Sequence, residues 1–143
     1  MKKLIATFVV LVLAASEAKS DPMADAIKAV MGNWTPVEFR QGGKPTVPPE
    51  RIKFYRLTIT KDKFILIAPE GNEVGTTVVR PDKNPKEIDI TGTAGPSKGR
   101  TFLGIYDVIN GQLWICYDVT GRQRPTEFKD LPDGTTLLSV FRR

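Results

Sequence analysis

Arg122, Arg124, Glu127, Lys129, Asp130 and Asp133 crowd into residues 120–134, with Arg100 earlier in the chain. A guanidinium fork matches two acceptor oxygens at once, so Arg100, Arg122 and Arg124 could form a cationic rim. Such a rim would hold the carboxylate or phosphate head of a small amphipathic or anionic ligand, with Glu127 and the inward-facing Tyr106 and Tyr117 as further candidate ligand-binding residues. A plainer reading pairs Arg124 with Glu127 or has it cap strand carbonyls, while Pro125 and Phe128 pin the loop. The other acids, Asp89, Asp107 and Asp118, have no identifiable partner. Asp107 and Asp118 fall near opposite ends of one hairpin, too far apart for a carboxylate pair, and Asp89 is expected to bond backbone in the turn that follows it. Histidine is absent and Cys116 is the only cysteine, which excludes most zinc sites, the Ser-His-Asp triad and the Cys-His pair. Cys116 reads as a small packed hydrophobe. No enzyme, cofactor or metal site is expected.

The elements that must position these residues are mostly strands. Eight candidates cover 34–40, 52–60, 63–68, 73–80, 87–91, 101–109, 112–119 and 135–142, a number that suits a closed all-β, antiparallel up-and-down barrel. A short helix over 22–31 precedes them, with Pro22 in its first turn and Gly32 as its stop. After Gly32 everything reads as strand and turn. Short connections at 61–62, 81–85 and 110–111 alternate with connections at 41–51, 69–72, 92–100 and 120–134, of which three are long. One end of the barrel is therefore expected to be tightly closed and the other rich in loops. The same parity brings Trp34 near Arg142 at the closed end.

Asn110-Gly111 is a strong two-residue turn signal that fixes register. It opposes Val108 to Leu113, Tyr106 to Ile115, Gly104 to Tyr117 and Phe102 to Val119, an apolar inner face on which Gly104 makes room for a ring. So many large inward residues, with Phe64 and Leu66 added, favour a filled interior. The outer face carries Leu103, Ile105, Ile109, Trp114 and Cys116, more apolar surface than water requires. The N-terminal helix is the expected cover; the other is a second copy, a weak homodimer through Leu103, Ile105 and Trp114.

Lys2 and Lys3, an apolar run over 4–15 and the small residues around Ala18-Lys19-Ser20 have the layout of a signal peptide over 1–20. The run is too short to span a bilayer, so no stable membrane insertion is expected and the chain should be periplasmic or extracellular. One domain, 21–143, remains. Removing Lys2, Lys3, Lys19 and Glu17 lowers the formal net charge from +5 to +3, a small and interspersed excess that does not point to nucleic acid.

Gly32-Asn33-Trp34 after a short helix resembles the opening of lipocalins, where the tryptophan closes the barrel floor against a late arginine; Arg142 would take that place here. The lipocalin Thr-Asp-Tyr motif is missing. A wider likeness runs through Gly32-Asn33-Trp34, Asn84-Pro85-Lys86-Glu87-Ile88-Asp89-Ile90, Gly104-Ile105-Tyr106, Leu113-Trp114-Ile115-Cys116-Tyr117, Arg124-Pro125-Thr126-Glu127-Phe128 and a C-terminal arginine. It resembles a planctomycete family of lipocalin-like domains, a likeness that implies a barrel and export and carries no activity with it. The function expected from residues and resemblance together is an exported binding module, the alternative being a filled barrel that interacts through its surface.

Overall fold

The computed structural model describes residues 21–143; the expected signal peptide lies outside the described residues. Helix α1 (Pro22–Val30) begins where the Asp21 carboxylate accepts a hydrogen bond from the Met23 amide. Nine strands follow: β1 (Gly32–Gln41), β2 (Lys44–Pro45), β3 (Arg56–Ile59), β4 (Lys63–Ile67), β5 (Glu73–Arg80), β6 (Glu87–Ala94), β7 (Thr101–Ile109), β8 (Gln112–Asp118) and β9 (Thr136–Arg142). Strands β1 and β3 to β9 pair antiparallel with their neighbours, and β1 pairs with β9. This is a closed eight-stranded antiparallel barrel, and β2 merely extends the end of β1.

Connection lengths give the two ends different characters, as their alternation predicts. The turns after β3, β5 and β7 lie at one end with the start of β1 and the end of β9; the connections after β1, β4, β6 and β8 form the other, the mouth. Asn110 (φ 51°) and Gly111 (φ 76°) make the tightest turn. The β7–β8 ladder has the expected register through Gly104 and Tyr117, where it stops short of Phe102 and Val119.

Three features depart from the sequence reading. A single helical turn, α2 (Pro49–Ile52), interrupts the long β1–β3 connection, because Pro48-Pro49 fixes φ near helical values at its start. Trp34 is held at the floor by Arg143, whose guanidinium lies 4.2 Å over the indole, and not by Arg142. Phe141 points inward and is buried, so strand alternation turns Arg142 to solvent and carries the next residue back over the floor. Arg143 also donates to the carbonyls of Ala29 and Met31, and the Trp34 Nε1 donates to Val30 O at 2.9 Å. Gly32 permits this closure: its φ is +118°, and a Cβ there would stand 2.8 Å from an Arg143 nitrogen.

These bonds tie α1 to the floor, where Val30 enters the main core beside Trp34. The helix is therefore not the cover over Ile105 and Cys116. That cover is the 119–135 connection, which runs down the outer wall as a strap. Ile105, Cys116 and Leu138 form a second core under it, with Trp114 and Phe128 packed edge to face at 6.3 Å. The buried Cys116 thiol donates to Lys129 O at 3.5 Å, and burial raises its pKa, as befits a packed hydrophobe.

Candidate functional site

The barrel is filled at the floor and hollow toward the mouth. Trp34, Tyr106 and Leu113 pack the closed half. Above them lies a cavity of about 170 Å³, walled by apolar side chains that include Phe39, Leu57, Phe64, Ile88, Phe102 and Phe141. Strand alternation sets this wall, since Leu57 and Ile59 of β3 face Leu66 and Phe64 of β4 in register. The fully filled interior favoured by the number of large residues is thus only half realised.

Polar groups lining the cavity include Glu73, Thr77, Ser97, Tyr117 and Ser139. Glu73 opens β5 on its inner face, in phase with the buried Gly75 and Thr77. The β6–β7 connection folds over it. Gly92 donates to Arg100 O and accepts from the Gly99 amide, so the loop closes tightly, and a Cβ on Gly92 would lie 2.1 Å from Ser97 O. The closure sets Ser97 on Glu73: the Ser97 amide donates to one carboxylate oxygen at 3.2 Å and its hydroxyl to the other at 3.1 Å.

Tyr117 rests its ring 5.0 Å from that of Phe102. The room for it is made by Gly104 in the facing strand, where a Cβ would stand 3.1 Å from the Tyr117 Cβ. Burial, and then the nearby Glu73 charge, push the Tyr117 hydroxyl up to about 12, so it is a neutral hydrogen-bonding group at physiological pH. Tyr106 is equally inward but sits in the packed floor and does not line the cavity. Burial pushes its pKa up to about 12 as well, and its hydroxyl has no hydrogen-bond partner among the described residues.

The expected cationic rim does not form. Arg124 lies on the outer wall: one nitrogen donates to Gly104 O at 2.7 Å and to Ile88 O at 3.3 Å, and another to Asp89 at 2.7 Å. Its charge has two carboxylates to meet, Asp89 and, at 3.6 Å, Glu87, whose side chains alternate outward on β6. This realises the carbonyl-capping reading and excludes the rim reading for Arg124. Asp89 also takes Arg80 at 2.8 Å and does not bond the following turn. Burial works against its ionisation, but the two guanidinium groups outweigh it and hold the carboxyl below its ordinary range.

Arg100 does reach the mouth, where it stacks 4.7 Å over Phe102 and donates to Val119 O at 2.6 Å. Arg122 is exposed. Glu127 is exposed too and pairs with Lys129 at 3.2 Å. Asp118 serves the strap: burial opposes its ionisation, yet hydrogen bonds from the Thr120 hydroxyl and from the amides of Thr120 and Gln123 hold its pKa low. Asp107 pairs with Lys86 at 3.2 Å.

The structure therefore brings Tyr117 to the cavity and Arg100 to its rim, and leaves Arg122, Arg124, Glu127 and Tyr106 outside it. Glu73 and Ser97 were missed. Comparison of the chain with protein-family models, curated proteins and solved structures finds no match.

Proposed function

We propose that this protein is an exported binding module that carries one small, mostly apolar molecule in its barrel. The observation that carries the reading is the cavity of about 170 Å³ above a packed floor, apolar in its walls and polar at Glu73, Ser97 and Tyr117. Apolar cavities near 150 Å³ accept a molecule of about benzene size, and a concave apolar site with a few placed polar groups is the common form of a small-molecule site. The volume favours a single ring over a long-chain lipid. Export rests on the charge and hydropathy pattern of residues 1–20.

Native mass spectrometry of the protein purified gently from its exporting cell tests both parts. The expected spectrum shows a processed N-terminus and an added mass that leaves on denaturation. The paired control is Ile90→Phe, which places a ring in the cavity wall and should remove the added mass while the barrel stays folded. A bare mass from the wild type would favour the second reading, a surface-interaction module. That alternative draws its support from Ile65, Ile67 and Val78, which are 43%, 47% and 53% exposed on the outer faces of β4 and β5.

A further inference from the structure

Among the described residues, the only charged side chain in the cavity wall is an acid. Glu73 faces an apolar chamber, and the ion pairs formed among the described residues engage Glu70, Glu87, Asp89, Asp107, Glu127 and Asp130 instead. Arg100, the cation at this rim, is committed to Val119 O and to the Phe102 ring. The two bonds from Ser97 orient the carboxylate and occupy one acceptor position on each oxygen, and a carboxylate has about four such positions. Beside it the Tyr117 hydroxyl is unpartnered among the described residues.

A ligand that brings a cation can form with Glu73 the ion pair that no side chain of the wall supplies. We propose that the cavity selects small aromatic or aliphatic amines, binding the ammonium group at Glu73 with Tyr117 as a second contact and rejecting anions of the same shape. This rests on the reading of the barrel as a small-molecule carrier. The Phe64 ring in the wall adds a face that favours a cation over a neutral group. An anion meets the opposite: repulsion from Glu73 and, among the described residues, no guanidinium in the wall.

Three probes of nearly equal shape separate the possibilities: benzylamine, benzyl alcohol and benzoate, titrated calorimetrically into the mature protein at pH 7. The expected order is benzylamine at least tenfold tighter than benzyl alcohol, with benzoate weakest. Glu73→Gln should reduce the amine preference to about twofold, whereas Ser97→Ala, which keeps the carboxylate and removes one of its donors, should retain the preference. If benzyl alcohol binds and benzylamine binds no tighter, or benzoate binds best, selection of amines is overturned and the cavity reading stands. If none of the three binds, the cavity reading fails and this inference with it. The wild-type ranking decides the matter even where Glu73→Gln does not fold.

Discussion

Arg124→Ala separates a brace from a binding residue. The side chain is 22% exposed and Asp89 is 18% exposed, so the pair is shielded but not dry. Truncation removes three hydrogen bonds from the guanidinium, to Gly104 O, Ile88 O and Asp89, and a longer contact with Glu87. Charged hydrogen bonds contribute about 1.5–3 kcal/mol each when buried; partial exposure and the Arg80 cation that stays on Asp89 reduce the sum. A net loss of about 2–3 kcal/mol is expected, and about 1 kcal/mol for Arg124→Lys, which keeps the charge but not the fork. With a slope of about 1.5 kcal/mol per molar urea, the unfolding midpoint should fall by about 1.3–2 M.

The dependence on pH has a definite sign. The Asp89 pKa is lowered in the folded state, so its contribution is present above the unfolded carboxylate value near ~4 and is lost as pH falls through the folded value. Arg124→Ala leaves Asp89 with one guanidinium and a smaller depression. The stability gap between wild type and variant should therefore be full at pH 7 and narrow below about pH 4. Urea unfolding followed by tryptophan fluorescence across that range measures both quantities. A gap under about 0.5 kcal/mol at pH 7, or one that widens in acid, would refute the brace. So would a variant of unchanged stability whose affinity for a cavity probe has dropped.

Two further outcomes follow from the outer wall and the floor. Phe128→Ala should cost about 2 kcal/mol by uncovering the core beneath the strap, and should make Cys116, fully buried in the wild type, accessible to alkylation at a rate read by mass spectrometry; an unreactive thiol would show that the strap is not its cover. Arg143→Ala should lower stability by about 1–2 kcal/mol through loss of the indole contact and two carbonyl bonds, while Arg142→Ala stays within about 0.5 kcal/mol; equal thermal shifts would contradict the assignment of the floor to Arg143.

The barrel was legible because its signals are local and repeated. Asn110-Gly111 fixes one register unaided, and alternating connection lengths sort the ends without any knowledge of packing. The strap was half legible: its residues offered a carbonyl cap, but the capped carbonyls belong to Ile88 and Gly104, which are distant in sequence. The shift from Arg142 to Arg143 is a one-residue phase error, and on a strand such an error exchanges inside for outside. Helix α1 looked like a cover because it lies in the same chain and close by; the Arg143 bonds that bind it to the floor come from the far end of the chain, 114 residues from Ala29.

Glu73 was hidden for a more instructive reason. Hydropathy along β5 would turn Val74 and Val78 inward, yet the buried phase is Gly75 and Thr77. Gly75 pairs with Phe64 across the ladder, and a Cβ there would stand 2.0 Å from Thr91 O and 2.5 Å from the Phe64 ring, so only glycine fits this inward position. That glycine sets the phase, and the phase turns Glu73 into the cavity. The chain's formal excess of positive charge thus gives the wrong sign for the site. Among the described residues the cavity wall holds a single charged side chain, and it is negative; a ligand in the cavity would meet it at contact distance, where Coulomb energy is strongest. Selectivity should follow that single carboxylate and not the net charge.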